Sequence, residues 1–363
     1  MNKKIIFTTG GTGGHILPAI NMMKHFSEKG NEVILVTDSR GSSYMKNYLN
    51  FKVHKINAST LTNKKFLNKI FSTLIIFYSV IKSIIILYKE KPNLIFGFGG
   101  YVSFPISLSS KLFRIPLVIY ENNMILGRAN KSLATLSKKI LLAKKISDNF
   151  PKKYISKTSK VGSILDKKII NRLNLTKNIS KEKFNILILG GSQGAEIFGT
   201  IVPDAIKLLK NEGYIVEIKQ QCILNQKESL ETFYRKNDIK NYIFKFDRNI
   251  LDLILSSNLV ITRCGASTTA ELAHTLTPFI AVPLPESIDN HQFLNAKYYE
   301  NKGSCWLLEQ KNFTSENLFS LIVKITKDKN NLENIRKNLK NKYSMSTYVE
   351  IENIVKNLFK YEN

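Results

Sequence analysis

Short apolar runs alternate with stretches of helical periodicity through the first half of the chain. Lys3–Thr9 reads as a strand, His15–Lys29 as a helix and Glu32–Thr37 as a second strand; Asn93–Phe98 and Pro116–Glu121 follow as strands, with helical stretches between. This rhythm predicts a parallel, doubly wound sheet. The segment Ser156–Ile179 is polar, rich in Lys, Ser and Asn, and marks a junction. The pattern then restarts: Phe184–Leu189 is a strand, Gly190–Gly194 a glycine loop, and a helix runs on through Lys210, followed by strands at Ile215–Lys219 and Leu259–Thr262. Two α/β units in tandem are therefore expected, with a boundary near 160–165. Both begin with strand, glycine loop and helix.

One segment breaks the rhythm. Phe66–Tyr88 approaches the ~20 apolar residues that span a bilayer, but Lys69, Ser72, Thr73, Ser79, Lys82 and Ser83 interrupt it. Those positions recur about every 3.5 residues and fall on one narrow stripe of a helix. A spanning helix would put Lys82 deep in lipid at a cost of ~2.5–3.5 kcal/mol. An apolar face edged by Lys64, Lys65, Lys69, Lys82, Lys89 and Lys91 suits a helix lying on an anionic membrane surface, with Ile75, Phe77, Ile81 and Lys82 as contact residues. The competing reading is a helix buried between strands with solvated lysines.

Composition sharpens the choice of partner. The chain has 363 residues, with Lys+Arg 54 against Asp+Glu 28, a formal charge of +26. That excess points to a polyanion: nucleic acid, an anionic membrane or a phosphorylated substrate. Only 8 of the basic residues are Arg. Surfaces that read bases or fork phosphates lean on Arg, which weakens the nucleic-acid reading. A composition biased toward Lys, Asn and Ile accounts for much of the rest. Cys222, Cys264 and Cys305 are widely spaced with no CxxC, as in a reducing cytosol. The apolar run at the N-terminus is too short for a signal-peptide core, so a cytoplasmic protein is expected.

The candidate chemistry sits in glycine loops at strand ends. Gly10-Gly11-Thr12-Gly13-Gly14-His15 joins a strand to a helix, where free N–H groups and the helix dipole favour phosphate. The spacing is not that of a dinucleotide fingerprint, because the third glycine position falls on Ile16. Asp38 nevertheless ends the second strand, where a ribose-binding acid would sit, so an NAD(P)-binding oxidoreductase is a runner-up. Gly97–Tyr101 and Gly190–Ala195 repeat the loop pattern, and ligands in open α/β sheets bind beyond the carboxyl ends of strands. Arg263–Glu271 follows another strand with small residues at a helix start. Glu271 there is placed to bind sugar hydroxyls, to close a capping box on Thr268, or to do both. Asp289–Ala296 is amide-rich and suits a polyhydroxylated ligand. No D-x-D pair occurs, so no metal-bridged diphosphate site is expected, and no cofactor; helix dipoles and backbone N–H groups would carry the leaving-group charge.

GGTGGHILPA (10–19), GFGGYVSFP (97–105), YENN (120–123), GGSQGA (190–195), RCGASTTAE (263–271) and DNHQFLNA (289–296) together resemble glycosyltransferase family 28, in family order and over most of the chain. The resemblance implies a GT-B fold: two facing Rossmann-like domains, each doubly wound on a parallel sheet, with a cleft between. It implies residues 1–162 as an acceptor and membrane-associating domain, 163–340 as a UDP-GlcNAc-binding domain, and 341–363 as a helix packing back on the first. The activity it implies is inverting transfer of GlcNAc from UDP-GlcNAc to the C4 hydroxyl of MurNAc in lipid I, giving lipid II for peptidoglycan. The place implied is the cytoplasmic face of the inner membrane, with cell-wall synthesis proteins as partners and no nucleic acid.

By motif match, Ser192, Ala266, Ser267 and Thr268 would face the diphosphate, Glu271 the ribose, and Asp247 the uracil. Gln292 and Asn295 would hold the GlcNAc. Thr12, Gly13, Gly14 and Asn123 would complete the acceptor side. His15 is the implied general base, since an imidazole titrates near neutrality, and Glu121 is the reserve base or orienter. The chain departs from the family in two motifs. The usual His-Glu-Gln-Asn reads Tyr120-Glu121-Asn122-Asn123, and Gly-Asn-Pro-Val-Arg reads Gly162-Ser163-Ile164-Leu165-Asp166. A donor-binding Arg is thus Asp166 here, with Lys167 or Lys168 as substitutes. Another family 28 lipid glycosyltransferase, with diacylglycerol or another polyprenyl acceptor, is the near alternative; a non-catalytic basic binder of nucleic acid or membrane is the distant one.

Overall fold

The structure, a computed structural model, describes residues 3–360 apart from 12, 46–50, 58–65, 146–149, 172–182, 192–193 and 341–345, and only the backbone of 66–71 and 329. The chain forms two compact units: Met1–Asp166 with Tyr343–Asn363, and Lys167–Lys342.

The first unit runs β1 (Lys4–Thr8), α1 (Gly13–Glu28), β2 (Glu32–Thr37), α2 (Ser39–Tyr44), β3 (Lys52–Lys55), α3 (Phe66–Glu90), β4 (Leu94–Gly97), α4 (Ser103–Ser109), β5 (Leu117–Glu121), α5 (Arg128–Leu133), β6 (Lys139–Leu142) and β7 (Thr158–Lys160). All its strands are parallel, in the order β3-β2-β1-β4-β5-β6-β7. Ile6 lies beside Ile34 on one side and Ile95 on the other, and helices cover both faces, so the central strands are apolar throughout. Thr158–Lys160 fall inside the stretch expected as a junction, yet they form the edge strand β7. A short polar strand with a lysine suits an edge, where one side stays unpaired.

The second unit runs α6 (Lys167–Asn171), β8 (Phe184–Leu189), α7 (Glu196–Asn211), β9 (Val216–Gln221), α8 (Lys227–Lys236), β10 (Lys240–Phe244), α9 (Ile250–Leu255), β11 (Leu259–Thr262), α10 (Ala266–His274), β12 (Phe279–Ala281), α11 (His291–Glu300), β13 (Trp306–Leu307), α12 (Ser315–Lys327) and α13 (Lys329–Leu339). Its sheet is again parallel, in the order β10-β9-β8-β11-β12-β13. Its core joins Ile186, Ile188 and Ile261 to Phe198, Val202 and Ile206 of α7 and Ile322 of α12.

The last helix, α14 (Ser346–Lys360), belongs to the first unit. Glu352 accepts from buried His25 of α1 at 3.0 Å and pairs with Lys356 at 2.6 Å. The Tyr348 hydroxyl donates to the Leu165 carbonyl.

Helix α3 inverts the usual amphipathic arrangement. Ser72, Ser79 and Ser83 are fully buried, and α3 packs on α4, whose Ser109 hydroxyl reaches the Val80 carbonyl. Ser79 donates to Asn57 O, and Ser83 to Ser79 O at 2.6 Å. Leu74, Phe77, Tyr78, Ile81, Ile85 and Tyr88 are exposed. Small serines let two helices approach closely while their hydroxyls satisfy backbone carbonyls. The polar stripe legible in the sequence is therefore largely the packing face. Of the four contact residues expected, Phe77 and Ile81 are exposed while Ile75 and Lys82 are half-buried. Lys64 and Lys65 lie outside the described residues.

Because each sheet is parallel, every singled-out loop falls at the carboxyl end of its own sheet: those after β1, β4 and β5 in one unit, and those after β8, β10, β11 and β12 in the other.

Candidate active site

In the first unit the two glycine loops touch through their backbones. Gly10 N–H donates to Gly99 O at 2.9 Å, and a Cβ on Gly100, whose φ is +80°, would stand 2.6 Å from the Gly10 Cα. The contact admits no side chain on Gly100 and leaves a Cβ on Gly10 only 3.0 Å from the Gly100 Cα. His15, on the first turn of α1, lies against this pair: a Cβ on Gly99 would be 3.2 Å from its Cε1, 3.3 Å from its Nδ1 and 3.5 Å from the Asn130 Nδ2. The imidazole and the Asn130 amide are therefore neighbours across one glycine. Gly13 is buried, Gly14 opens onto space with nothing within 4 Å of a built Cβ, and Thr12 lies outside the described residues.

Asn130 leads to Glu121. Its amide donates to Glu121 Oε2 at 2.9 Å and to the Tyr120 carbonyl at 3.0 Å. Glu121 Oε2 also accepts from Gly127 N at 2.8 Å; Oε1 accepts from Asn123 N and Asn123 Nδ2, each at 3.0 Å. The carboxylate is 1% exposed and receives four N–H groups. That geometry makes Glu121 the knot that shapes the turn carrying Asn123. It orients the Asn130 amide beside His15, and both its oxygens are engaged.

Asp38, the acid of the oxidoreductase reading, is the N-cap of α2. It accepts from Gly41 N at 2.8 Å and pairs with Arg40 at 3.3 Å. Capping explains the residue without a ribose.

In the second unit the N-cap of α10 is Gly265, which has no side chain to close the helix, and nothing lies within 4 Å of a built Cβ there. Thr268 is thus inside the helix, and the capping box expected as one role for Glu271 does not form. Ala266 is buried and Ser267, Thr268 and Glu271 are half-buried around this N-terminus. Helix α7 starts after Gly191 and Gly194, both at positive φ, and its N-cap Ala195 likewise gives no side-chain bond. Ser192 lies outside the described residues.

The amides of α11 brace the start of α10. Gln292 Oε1 accepts from Cys264 N and Leu284 N, both at 3.1 Å, which fixes its oxygen and turns its NH2 the other way. Asn295 Nδ2 donates to Cys264 O at 3.1 Å, and the residue is 0% exposed. Asn295, expected as a sugar ligand, thus stands behind the Cys264 backbone in the ligand-free chain. The turn before it, Asp289-Asn290, holds two successive left-handed residues at φ 53° and 56°. Asp247 is half-buried after β10; it accepts from the Tyr242 hydroxyl at 2.9 Å and from Asn249 N at 2.6 Å. The hydrogen bond to Asp247, more than burial or the carboxylate's charge, raises the phenol's pKa and keeps it a donor.

Three residues escape sequence reasoning. Asn130 has no motif to mark it. Phe246, 74% exposed beside Asp247, is an aromatic in a polar loop, a signal that was readable. Arg263 lies within a recognised motif, but its role needs coordinates. Its guanidinium, 8% exposed, donates to Val282 O at 3.1 Å, Pro283 O at 3.2 Å and Gln310 Oε1 at 2.6 Å, over the Phe198 ring. Burial lowers its pKa, but a guanidinium remains a cation in proteins. It ties the end of β11 to the backbone just after β12. Asp166 lies 4.0 Å from Lys24.

Comparison with known proteins decides the lineage. The N-terminal domain of glycosyltransferase family 28 matches residues 5–142, and its C-terminal domain matches residues 185–349. The chain belongs to glycosyltransferase family 28. Among family 28 relatives is the UDP-N-acetylglucosamine–N-acetylmuramyl-(pentapeptide) pyrophosphoryl-undecaprenol N-acetylglucosamine transferase of Pelagibacter ubique. It is 35% identical over 342 residues, covering 94% of each chain. The enzyme of the same name from Francisella tularensis is 34% identical over 367 residues, covering 98% of each. Acinetobacter baumannii MurG superposes with a TM-score of 0.79 at 23% identity, over 98% of this chain and 99% of that one. That likeness gives each unit its place in the GT-B fold.

Proposed function

We infer that this family 28 chain is a UDP-GlcNAc-dependent glycosyltransferase of peptidoglycan synthesis, which transfers GlcNAc to the C4 hydroxyl of MurNAc in lipid I and yields lipid II. The observation that carries the reading is the end-to-end similarity, at 35% identity, to a transferase named for that donor and acceptor. In the reaction His15 takes the proton of the acceptor hydroxyl as its oxygen bonds to the donor's C1. The bond from C1 to the diphosphate breaks from the opposite face, and UDP leaves with the electron pair, so the configuration inverts. Developing charge on the diphosphate meets the N-termini of α10 and α7, which suit an anion by their helix dipoles. Gln292, with its oxygen already engaged, offers its NH2 to the sugar, and Glu271 its carboxylate to the ribose. Phe246 and the backbone at Asp247 suit a base, the aromatic by stacking on its face.

The acceptor is a lipid, and the exposed apolar face of α3 supports peripheral attachment to an anionic membrane. Among the described residues, one helical stretch, Ser72–Glu90 of α3, is long and apolar enough to cross a bilayer. Its buried serines favour packing on α4 with the opposite face on lipid. Incubating the purified protein with radiolabelled UDP-GlcNAc and lipid I should give labelled lipid II. No transfer to lipid I, with transfer to diacylglycerol, would overturn the acceptor assignment.

A further inference from the structure

The chain first leaves the first unit after Asp166, just beyond the segment Gly162–Leu165. Ile164 is 3% exposed. A backbone N–H withdrawn from water needs an acceptor, and leaving one unanswered is costly. Ile164 N–H donates to the Tyr120 hydroxyl at 3.1 Å. That hydroxyl has two acceptors for its single proton, Gly162 O and Asn122 Oδ1, each at 3.2 Å. Tyr120 is itself 1% exposed, with its ring tilted on Phe98 at 5.5 Å. One phenolic oxygen thus joins the end of β5, the amide turn built on Glu121, and the departing backbone. The next residue along, Leu165, is held separately by Tyr348 of α14.

A proline has no N–H and asks for no acceptor, whereas an isoleucine does. We propose that Tyr120 and Ile164 are a coupled pair, in which Tyr120 is a positioning residue that answers the Ile164 N–H and thereby holds the Glu121–Asn123 turn against the Gly162–Leu165 segment. The pairing stands on these bonds alone; its effect on acceptor binding rests on the transferase reading above.

A double-mutant cycle tests both parts, using full-length Tyr120→Phe, Ile164→Pro and the double variant. Tyr120→Phe removes the acceptor and should lower the melting temperature by about 3–8 °C. It should also speed hydrogen exchange at the Ile164 amide by roughly tenfold. It should raise the KM for lipid I roughly fivefold while kcat stays within about twofold. Adding Ile164→Pro removes the orphaned donor, so both stability and KM should recover most of the loss. Additive effects in the cycle, or unchanged exchange at Ile164 in Tyr120→Phe, would overturn the pairing. Coupled stability with an unmoved KM would overturn the positioning role. If the proline variant does not fold, exchange in Tyr120→Phe decides alone. A wild-type protein inactive on lipid I would defeat the transferase reading while melting and exchange still judged the pair.

Discussion

His15 and Glu121 have different work, and their substitutions should separate it. His15→Ala removes the base and should cut kcat by roughly 10²-fold or more, with UDP binding by calorimetry unchanged. Glu121→Gln replaces an oxygen that accepts two N–H groups with an NH2 facing them. It should cost about 1–3 kcal/mol of stability, read as a shifted urea midpoint together with lost turnover. Gln292→Glu keeps the oxygen on Cys264 and Leu284 but deletes the outward NH2. The fold should survive, and the KM for UDP-GlcNAc should rise roughly tenfold, the worth of one hydrogen bond to a ligand. Unchanged KM would remove Gln292 from the sugar site.

At this scale the sequence was a good guide to which stretches matter and a poor one to what each side chain does. Glycine loops announce themselves because only glycine tolerates positive φ and contacts as close as that of Gly10 with Gly100. The role of an amide does not. Gln292 and Asn295 stand three apart in one motif, yet one keeps exposed surface and the other is buried. That difference depends on which face of α11 meets the Cys264 backbone, and tertiary packing sets it.

Among elements, the strands read most clearly. Glu32–Thr37, Phe184–Leu189 and Leu259–Thr262 have the bounds expected from their apolar runs. Edges read worst: β7 is polar, and its pairing with β6 is a long-range fact that no local pattern encodes. Helix α3 was recognised as exceptional, but its orientation was hidden, because serine is equally at home facing solvent or a neighbouring helix. The orientation changes which substitutions separate attachment from folding. Replacing Phe77, Ile81 and Tyr88 with Ser should release the protein from vesicles of anionic phospholipid in a sedimentation assay while leaving its melting temperature within a few degrees. Ser79→Leu should do the reverse, because overpacking a filled contact typically costs ~1–3 kcal/mol. If the triple variant still sediments with vesicles, the exposed face of α3 is not the attachment surface.

For the molecule as a whole, two buried glutamates bind distant parts of the first unit and make it acid-sensitive. Glu352 joins α14 to α1. The Lys356 bond, followed by that of His25, outweighs burial and holds its pKa below the ordinary 4.5. Glu90, at the end of α3, meets Lys52 and His54 at 2.7 Å and Lys4 at 3.7 Å. Burial would raise its pKa, but the bonds and charges of Lys52 and His54 prevail and lower it. A carboxylate lowered on folding stabilises the native state fully above its unfolded pKa and loses that contribution as pH falls through the folded value. Stability of the first unit should therefore be level from neutral pH down to about pH 5 and decline below 4.5, the ordinary value of both groups. In Glu352→Gln the acid decline should be shallower and start from a lower plateau, measured by urea titration across pH. An identical slope would remove Glu352 from the acid response.

The contact between Gly10 and Gly100 carries a consequence for descent. The Gly10 backbone forbids a side chain at Gly100, and the Gly100 backbone crowds one at Gly10, so the two loops constrain each other's drift. Two segments some ninety residues apart in the chain are, for selection, a single inherited character, and a lineage that loses one glycine has no single-step compensation at the other.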